Sequence, residues 1–123
     1  MRKRHTFILL LFGFTFIACG KTPEKGSAGG PKNAIVTLVE LGSERCIPCR
    51  KMTAVLDAVR KRYPNTVRVV FHDVWKDRAP AEKYRIRVIP TQIFLDKNGK
   101  EYFRHEGYFP LEEVEKIIKQ KLG

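Results

Sequence analysis

The chain has 123 residues, 43% of them hydrophobic and 30% charged, which fits one small globular domain and is too short for several. Its formal net charge of +11 is compatible with nucleic acid, anionic lipid or an acidic protein as a partner. The sequence contains no arginine-rich run with interleaved aromatic residues, so no nucleic-acid partner is predicted. We expect a solvated basic surface instead.

The first eighteen residues have the features of a secretory signal. Basic residues at positions 2–4 precede a mostly apolar run at 7–18, which is shorter than the ~20 residues that a membrane-spanning helix needs. Ala18 directly before Cys19 resembles the processing box of bacterial lipoproteins, in which the cysteine becomes the lipidated N-terminus. This predicts an exported protein, anchored by lipid on Cys19 at the periplasmic face of a bacterial membrane. The alternative is an ordinary signal cut near Ala18 that leaves Cys19 as a free thiol.

Residues 19–33 are predicted to be the lipidated cysteine and a flexible tether. The stretch 20–32 is rich in Gly, Pro, Ser and Lys and has no apolar periodicity, as in a random-coil linker. The folded domain is then expected over residues 34–123. Without residues 1–18 the chain keeps 21 basic and 13 acidic residues, a net charge of +8.

The front of the domain is predicted to be a strand, a helix and a second strand. A β-branched run at 34–41 is typical of a strand buried on both faces. Apolar residues then recur at intervals of three and four between positions 52 and 63, which predicts a helix that ends before Pro64. A second apolar strand follows at 67–74. A strand–helix–strand order of this kind implies a parallel pair.

The rest of the domain is predicted to contain a short helix, a hairpin and a last helix. The short helix is expected at 77–84. Strands at 92–95 and 101–105 flank an Asn-Gly pair at 98–99, a strong hairpin signal. An apolar stripe over 111–122, with acidic residues first and basic residues last, predicts the final helix. The expected fold class is α/β, in the order β-α-β-α-β-β-α with a central mixed sheet.

Cys46 and Cys49 are the residues most directly associated with chemistry. A disulfide across two intervening residues closes a very short loop and adds little stability, so a redox role explains the pair better. Cys46 is expected at the N-terminus of the first helix, where unpaired amides and the helix dipole stabilise a thiolate, the nucleophile of disulfide exchange. Arg45 favours the thiolate further if its side chain turns towards the sulfur. Cys49, one turn later, can resolve the mixed disulfide.

Other uses of the cysteine pair fit the sequence less well. Zinc favours four ligands, and beyond the signal only His72 and His105 accompany the cysteines, neither at ligand spacing. No metal site is therefore predicted. Covalent haem attachment needs a histidine after the second cysteine, where this chain has Arg50. An inert structural disulfide remains as the alternative.

Around this motif the chain resembles the thioredoxin family, from about residue 34 to the C-terminus. Three landmarks join the cysteine pair and its Pro48: an acid six residues before Cys46 (Glu40), the segment 84–91 with Ile89-Pro90-Thr91 at its end, and Gly107 before the last helix. The resemblance implies a thioredoxin-like fold. It is a trimmed version, because the family's first strand and helix have no evident counterpart.

The resemblance also implies how the site works. Cys46 attacks and Cys49 resolves, while Glu40 is a buried acid that transfers the proton of Cys49. Burial would raise the pKa of Glu40 towards that of a useful base. The alternative for Glu40 is a solvated strand end. The lysine that accompanies this acid in cytosolic thioredoxins is Val69 here, so the acid is expected to lack that partner.

The same resemblance assigns the residues that contact the substrate. Pro90 is implied to be cis and to lie beside the cysteines, with the Ile89 backbone pairing with the substrate chain. Trp75 is expected at the core or rim. The remaining substrate contacts are expected from Arg45, Ile47, Pro48 and Gly107.

The implied substrates are exported proteins with disulfide or dithiol groups. Arg45 replaces the family's usual tryptophan and Ile47-Pro48 its usual Gly-Pro, which leaves the direction of electron flow open. By analogy with exported thioredoxin-like reductases we expect a monomeric reductase, re-reduced by a membrane electron donor and with no cofactor beyond the cysteine pair. A non-catalytic peptide-binding module is the alternative function.

Overall fold

The computed structural model describes residues 27–123. The predicted signal at 1–18 and Cys19 lie outside these residues. The elements in chain order are β1 (Ser27–Gly29), β2 (Val36–Gly42), α1 (Ile47–Arg62), β3 (Val67–Asp73), α2 (Ala79–Lys83), β4 (Thr91–Asp96), β5 (Glu101–Glu106) and α3 (Leu111–Leu122).

The strands form one mixed sheet in the order β1-β3-β2-β4-β5. β2 and β3 run parallel, as the strand–helix–strand pattern predicts, while β4 is antiparallel to β2 and β5 is antiparallel to β4. The predicted order β-α-β-α-β-β-α with a central mixed sheet is therefore confirmed from β2 onwards. β2 lies in the middle of the sheet, and its last residue leads into the turn before α1.

The prediction of a flexible tether over 19–33 is wrong for its last part. Residues 27–29 form β1, which pairs antiparallel with the edge of β3. The Arg68 guanidinium on β3 donates hydrogen bonds to the carbonyls of Pro31 and Lys32, at 3.0 and 2.7 Å from Nη2. Pairing at a sheet edge uses backbone groups alone, so it leaves no apolar periodicity in the sequence.

The short helix α2 is three residues shorter than the predicted range 77–84. Asp77 Oδ1 accepts a hydrogen bond from the Ala79 amide at 3.0 Å, so Asp77 lies before the helix. At the other end Arg85 has a φ of 51°, in the left-handed region, which a helix cannot continue through. The predicted bounds of the other helices and strands agree with the structure to within a few residues.

Apolar side chains fill both faces of the sheet. Since neighbouring residues of a strand point to opposite faces, Val36 and Leu38 of β2 belong to one cluster and Val39 and Leu41 to another. The first cluster includes buried residues of α1 and α3, and the second includes residues of the α2 region. Glu40 comes two residues after Leu38, so it points to the same face as the first cluster, towards α1.

Phe94 is the largest fully buried side chain and the centre of the first cluster. Its ring lies edge-on to those of Tyr102, Phe103 and Phe109, with centroids 5.7 to 6.3 Å apart. We expect Phe94→Ala to lower the free energy of unfolding by about 3–5 kcal/mol, because it leaves a cavity that rigid strands cannot close. Urea denaturation measures this loss. The control is Tyr108→Ala, whose side chain is exposed and should cost far less; equal losses would contradict the assignment of Phe94 to the core.

Candidate active site

The turn between β2 and α1 places Cys46 at the start of the helix. The Cys46 amide donates to the Ser43 carbonyl at 3.1 Å, and the Cys46 carbonyl accepts from the Arg50 amide at 3.0 Å. Cys46 is thus the N-cap residue, with extended backbone angles and no side-chain capping bond. Pro48 lies in the first turn, where its missing N–H costs no helical hydrogen bond. Cys46 therefore lies at the N-terminus of α1, as predicted.

Cys49 lies one turn into the helix and faces the sheet. Its side chain is 4% exposed, whereas Cys46 is partly exposed, and both are free thiols. Burial raises the pKa of the Cys49 thiol to about 12, and a hydrogen bond to Cys46 acts in the same direction. The pair is therefore asymmetric: one sulfur can meet a partner and the other cannot.

Glu40 is fully buried in the middle of β2 and does not lie at a solvated strand end. Burial raises the pKa of this carboxyl to about 8, and a hydrogen bond from Gln92 opposes the rise only in part. The Gln92 Nε2 atom donates to Glu40 Oε2 at 3.0 Å. Among the described residues, Glu40 Oε1 has no hydrogen-bond partner. The carboxyl is therefore neutral over much of the physiological pH range.

Gly42 brings the carboxyl and the resolving thiol to the same space. A Cβ atom at position 42 would lie 3.2 Å from Cys49 Sγ and 3.6 Å from Glu40 Oε1. Any side chain there would press on the Cys49 sulfur and come between it and the carboxyl. The glycine thus leaves the Cys49 sulfur and the Glu40 carboxyl facing the same space.

Gln92 is a site residue that sequence reasoning missed. It lies directly opposite Glu40 in the antiparallel pairing of β2 and β4, and it is fully buried. Val69 fills the place of the family's lysine with a buried apolar side chain, so a neutral amide, not an ammonium, faces the acid. The available signal was a glutamine at the start of the otherwise apolar run 92–95.

Pro90 directly precedes β4, the strand that carries Gln92. The Ile89–Pro90 bond is cis, as the resemblance implies. Pro90 is buried, and its carbonyl accepts a hydrogen bond from the Gly107 amide at 2.7 Å. Gly107 has a φ of 96°, a backbone conformation that favours glycine. Because Gly107 directly follows β5, this hydrogen bond links the end of that strand to Pro90.

The other predicted contact residues surround Cys46 on the surface. Ile47 is 71% exposed, Pro48 is also exposed, and the Arg45 guanidinium lies over the Trp75 ring at 5.6 Å from its centroid. Trp75 is itself 53% exposed, which places it at the rim. These side chains are therefore available to a partner that approaches the reactive sulfur.

The described part of the chain offers neither a metal cluster nor a membrane span. No group of three or more His, Cys, Asp or Glu side chains within residues 27–123 is placed to hold a metal ion. Over the same range, none of the helices has the length and apolar character needed to cross a bilayer.

A family model described as a thioredoxin-like domain matches residues 26–122. The chain belongs to the thioredoxin-like family. The resemblance based on Glu40, the cysteine pair, Pro90 and Gly107 is therefore confirmed at the level of the family, and the protein is a thioredoxin-family redox protein with its motif at Cys46 and Cys49.

Individual thioredoxins cover most of the domain. Thioredoxin of Chlamydia trachomatis is 35% identical over 83 residues, which are 68% of this chain and 79% of that protein. Chloroplastic thioredoxin Y of Oryza sativa is 33% identical over 85 residues, which are 69% of this chain but only 50% of that protein. The chain thus matches half the length of this chloroplast relative.

Solved thioredoxins have the same fold. Thioredoxin-2, described as a component of malaria parasite protein secretion machinery, superposes with a TM-score of 0.68 at 22% identity, covering 74% of this chain and 86% of that one. A thioredoxin mutant from Halobacterium salinarum gives a TM-score of 0.65 at 20% identity, covering 73% and 77%. At these identities the likeness concerns the fold alone.

The raised pKa of Glu40 predicts how stability depends on pH in this thioredoxin-like domain. Between pH 4.5 and about 8 the unfolded chain has lost the Glu40 proton while the folded chain retains it. The free energy of unfolding should therefore fall as pH rises through this window, by up to about 1.4 kcal/mol for each increase of one in pH. Glu40→Gln should remove this contribution and be more stable than the wild type at pH 8. Urea titrations at several pH values measure it.

The matched control is Glu82→Gln, which removes a carboxyl from the exposed surface of α2. This variant should keep the wild-type dependence on pH. A Glu40→Gln protein with that same dependence would show that the buried carboxyl is ionised throughout.

The burial of Cys49 predicts unequal alkylation of the reduced pair. At pH 8 iodoacetamide should modify Cys46 at least ~10-fold faster than Cys49, because only thiolates react and the pKa of Cys49 is raised to about 12. Tandem mass spectrometry of the proteolytic peptides, which assigns the label to one cysteine or the other, gives both rates. Equal rates would mean that Cys49 is not held behind Cys46.

Proposed function

We propose that the protein is a thiol–disulfide oxidoreductase that reduces disulfides of exported proteins through Cys46 and Cys49. The asymmetry of the pair carries this proposal. Cys46 is partly exposed at the N-terminus of α1, and Cys49 is 4% exposed behind it. One thiol is placed to attack a partner while the other is kept for the resolving step.

The proposed exchange has two steps. First, the Cys46 thiolate attacks one sulfur of the partner disulfide, forms a mixed disulfide and expels the other partner sulfur, which takes a proton from water. Second, Cys49 loses its proton and attacks the Cys46 sulfur. The Cys46–Cys49 disulfide forms, the bond to the partner breaks, and the second partner sulfur takes a proton from water, so the partner leaves as a dithiol. Two electrons have then passed from the pair to the partner.

Glu40 is the proposed acceptor of the Cys49 proton. With a pKa of about 8, a fraction of this carboxyl is ionised near neutral pH, and the ionised form is a stronger base than an ordinary carboxylate. Gly42 leaves the space between Cys49 Sγ and Glu40 Oε1 open for the transfer. Gln92 holds the carboxyl in place through Oε2 and leaves Oε1 for the proton.

Two parts of the proposal, the reducing direction and the exported location, rest on the resemblance to exported thioredoxin-like reductases. The signal features of residues 1–18 and the Ala18-Cys19 pair support a lipid anchor at the periplasmic face of a bacterial membrane. Each turnover leaves the pair oxidised, so the proposal requires an electron donor in the membrane. It requires no cofactor, since the cysteines carry the electrons, and it treats the protein as a monomer.

Replacing Cys49 tests the two-step mechanism. Cys49→Ser can attack a partner disulfide but cannot resolve the product, so covalent complexes with exported proteins should accumulate through Cys46. Non-reducing gels followed by mass spectrometry detect them, and reductant should release them. The control is Cys46→Ser, which should form none, because the remaining thiol is buried.

The same experiment separates the enzyme from a non-catalytic peptide-binding module. A module that holds peptides beside Pro90 would bind equally well with or without Cys49 and would form no covalent complex. Absence of complexes in Cys49→Ser would therefore contradict the oxidoreductase proposal.

The anchor is tested independently at Cys19. We expect Cys19→Ala to move the protein from the membrane fraction to the soluble exported fraction, because the lipid would have no attachment point. Fractionation of the producing cells with immunoblotting measures the distribution. Cys46→Ala serves as the control and should stay in the membrane fraction; unchanged partitioning of Cys19→Ala would contradict the lipoprotein interpretation.

A further inference from the structure

A groove of about 640 Å³ opens beside the reactive pair. Two of its lining residues are next to the site in sequence: Arg45 precedes Cys46, and Ile89 precedes the cis-proline Pro90. The other lining residues come from the end of β3, from α2 and from the segment before Pro90, and are Val74, Trp75, Arg78, Ala81, Ile86, Arg87 and Val88. A partner joined to Cys46 through a disulfide therefore has its neighbouring residues within reach of the groove.

The groove is lined by positively charged side chains. Its lining contains three guanidinium groups, those of Arg45, Arg78 and Arg87, and none of the described lining residues carries a carboxylate. The Arg45 guanidinium is held at the rim by its position over the Trp75 ring. Arg87 forms an ion pair with Glu106 at 3.3 Å, yet its side chain is still 82% exposed. An incoming anion can therefore reach all three arginines.

Glu106 pairs with Arg87, whereas two further carboxylates next to the groove in sequence, those of Asp73 and Glu44, have other partners. Asp73 accepts hydrogen bonds from the Ser43 hydroxyl and from the backbone amides of Glu44 and Trp75. Glu44 forms an ion pair with Lys76. Among the described ion pairs, neither Asp73 nor Glu44 joins a guanidinium group of the groove, and Arg87 stays largely exposed beside Glu106, so positive charge in the groove is available to a ligand.

The floor and rim of the groove also offer apolar surface. Trp75 and Val88 are 53% and 47% exposed, so both can be covered by a partner. Burying them would favour binding, and the arginines would orient the chain that covers them. An extended segment that alternates acidic and apolar residues matches both properties.

We propose that this groove selects partner proteins whose reactive disulfide is flanked by acidic residues. The inference rests on the proposed oxidoreductase function and names its substrate class. Arg45, Arg78 and Arg87 bind the flanking carboxylates, while Trp75 and Val88 cover the apolar residues between them. The groove thus adds selectivity to a cysteine pair that can react with any accessible disulfide.

Matched peptide substrates test this selectivity. Three peptides with the same internal disulfide carry aspartate, asparagine or lysine at the flanking positions, and the full-length protein reduces them with dithiothreitol as the electron source. At low salt we expect kcat/KM for the acidic peptide to exceed that for the asparagine peptide by on the order of tenfold, and to exceed that for the lysine peptide further. The preference should weaken as salt is added.

Charge reversal in the groove supplies the control. Arg78→Glu should reduce the ratio of acidic to asparagine peptide to about one or below. The matched variant Lys97→Glu changes the net charge by the same amount as Arg78→Glu. Lys97 lies in the turn after β4, at the opposite end of that strand from Pro90, so this variant should keep the wild-type ratio. If the wild type reduces all three peptides at equal rates, or if Lys97→Glu lowers the ratio as much as Arg78→Glu, the groove is not selective and the oxidoreductase proposal still stands. If the wild-type protein reduces none of the peptides and does not reduce insulin, the proposed function fails and the proposed selectivity of the groove fails with it.

Discussion

The structure depends on a buried carboxyl group, that of Glu40, which has one hydrogen-bond donor among the described residues, the Gln92 amide. A buried charge without a cationic partner is unfavourable, so the pKa of Glu40 rises to about 8. The neighbouring elements place this acid beside the reactive pair: β2 carries Glu40, β4 carries Gln92 opposite it, and β2 ends at Gly42, against which Cys49 packs. One strand, the turn that follows it and the first turn of α1 thus bring the acid and the resolving thiol to the same space.

The two sides of the cysteine pair differ in chemistry. On the sheet side of Cys49 lies a buried acid, Glu40, and the pKa of the Cys49 thiol is raised by burial together with the charge of this acid. In front of Cys46 the surface is exposed and cationic, with arginines and Trp75 around a groove. The side proposed to handle protons is therefore separate from the side proposed to meet partners, so we expect a substitution in the groove to change partner choice without altering the buried acid.

Much of this arrangement could be predicted from the sequence because the signals are local. The bounds of α3 follow from its apolar stripe and charge order, and the position of Cys46 follows from the strand before it and the helix after it. The cis bond at Pro90 came from the family resemblance, since residue patterns alone favour trans. The features that were missed depend on distant segments: β1 pairs through backbone groups, and Gln92 meets Glu40 only once the register of β2 and β4 is known.

The most direct test of the central claim is the pH dependence of the resolving step. A mixed disulfide between Cys46 and a small thiol is prepared on the protein, and release of that thiol by Cys49 is followed by stopped flow from pH 5 to pH 10. In the wild type the rate should rise with a midpoint near 8, the pKa of Glu40. In Glu40→Gln this rise should be absent and the rate near pH 8 lower by at least ~10-fold. Identical profiles for the two proteins would show that Glu40 does not accept the proton of Cys49.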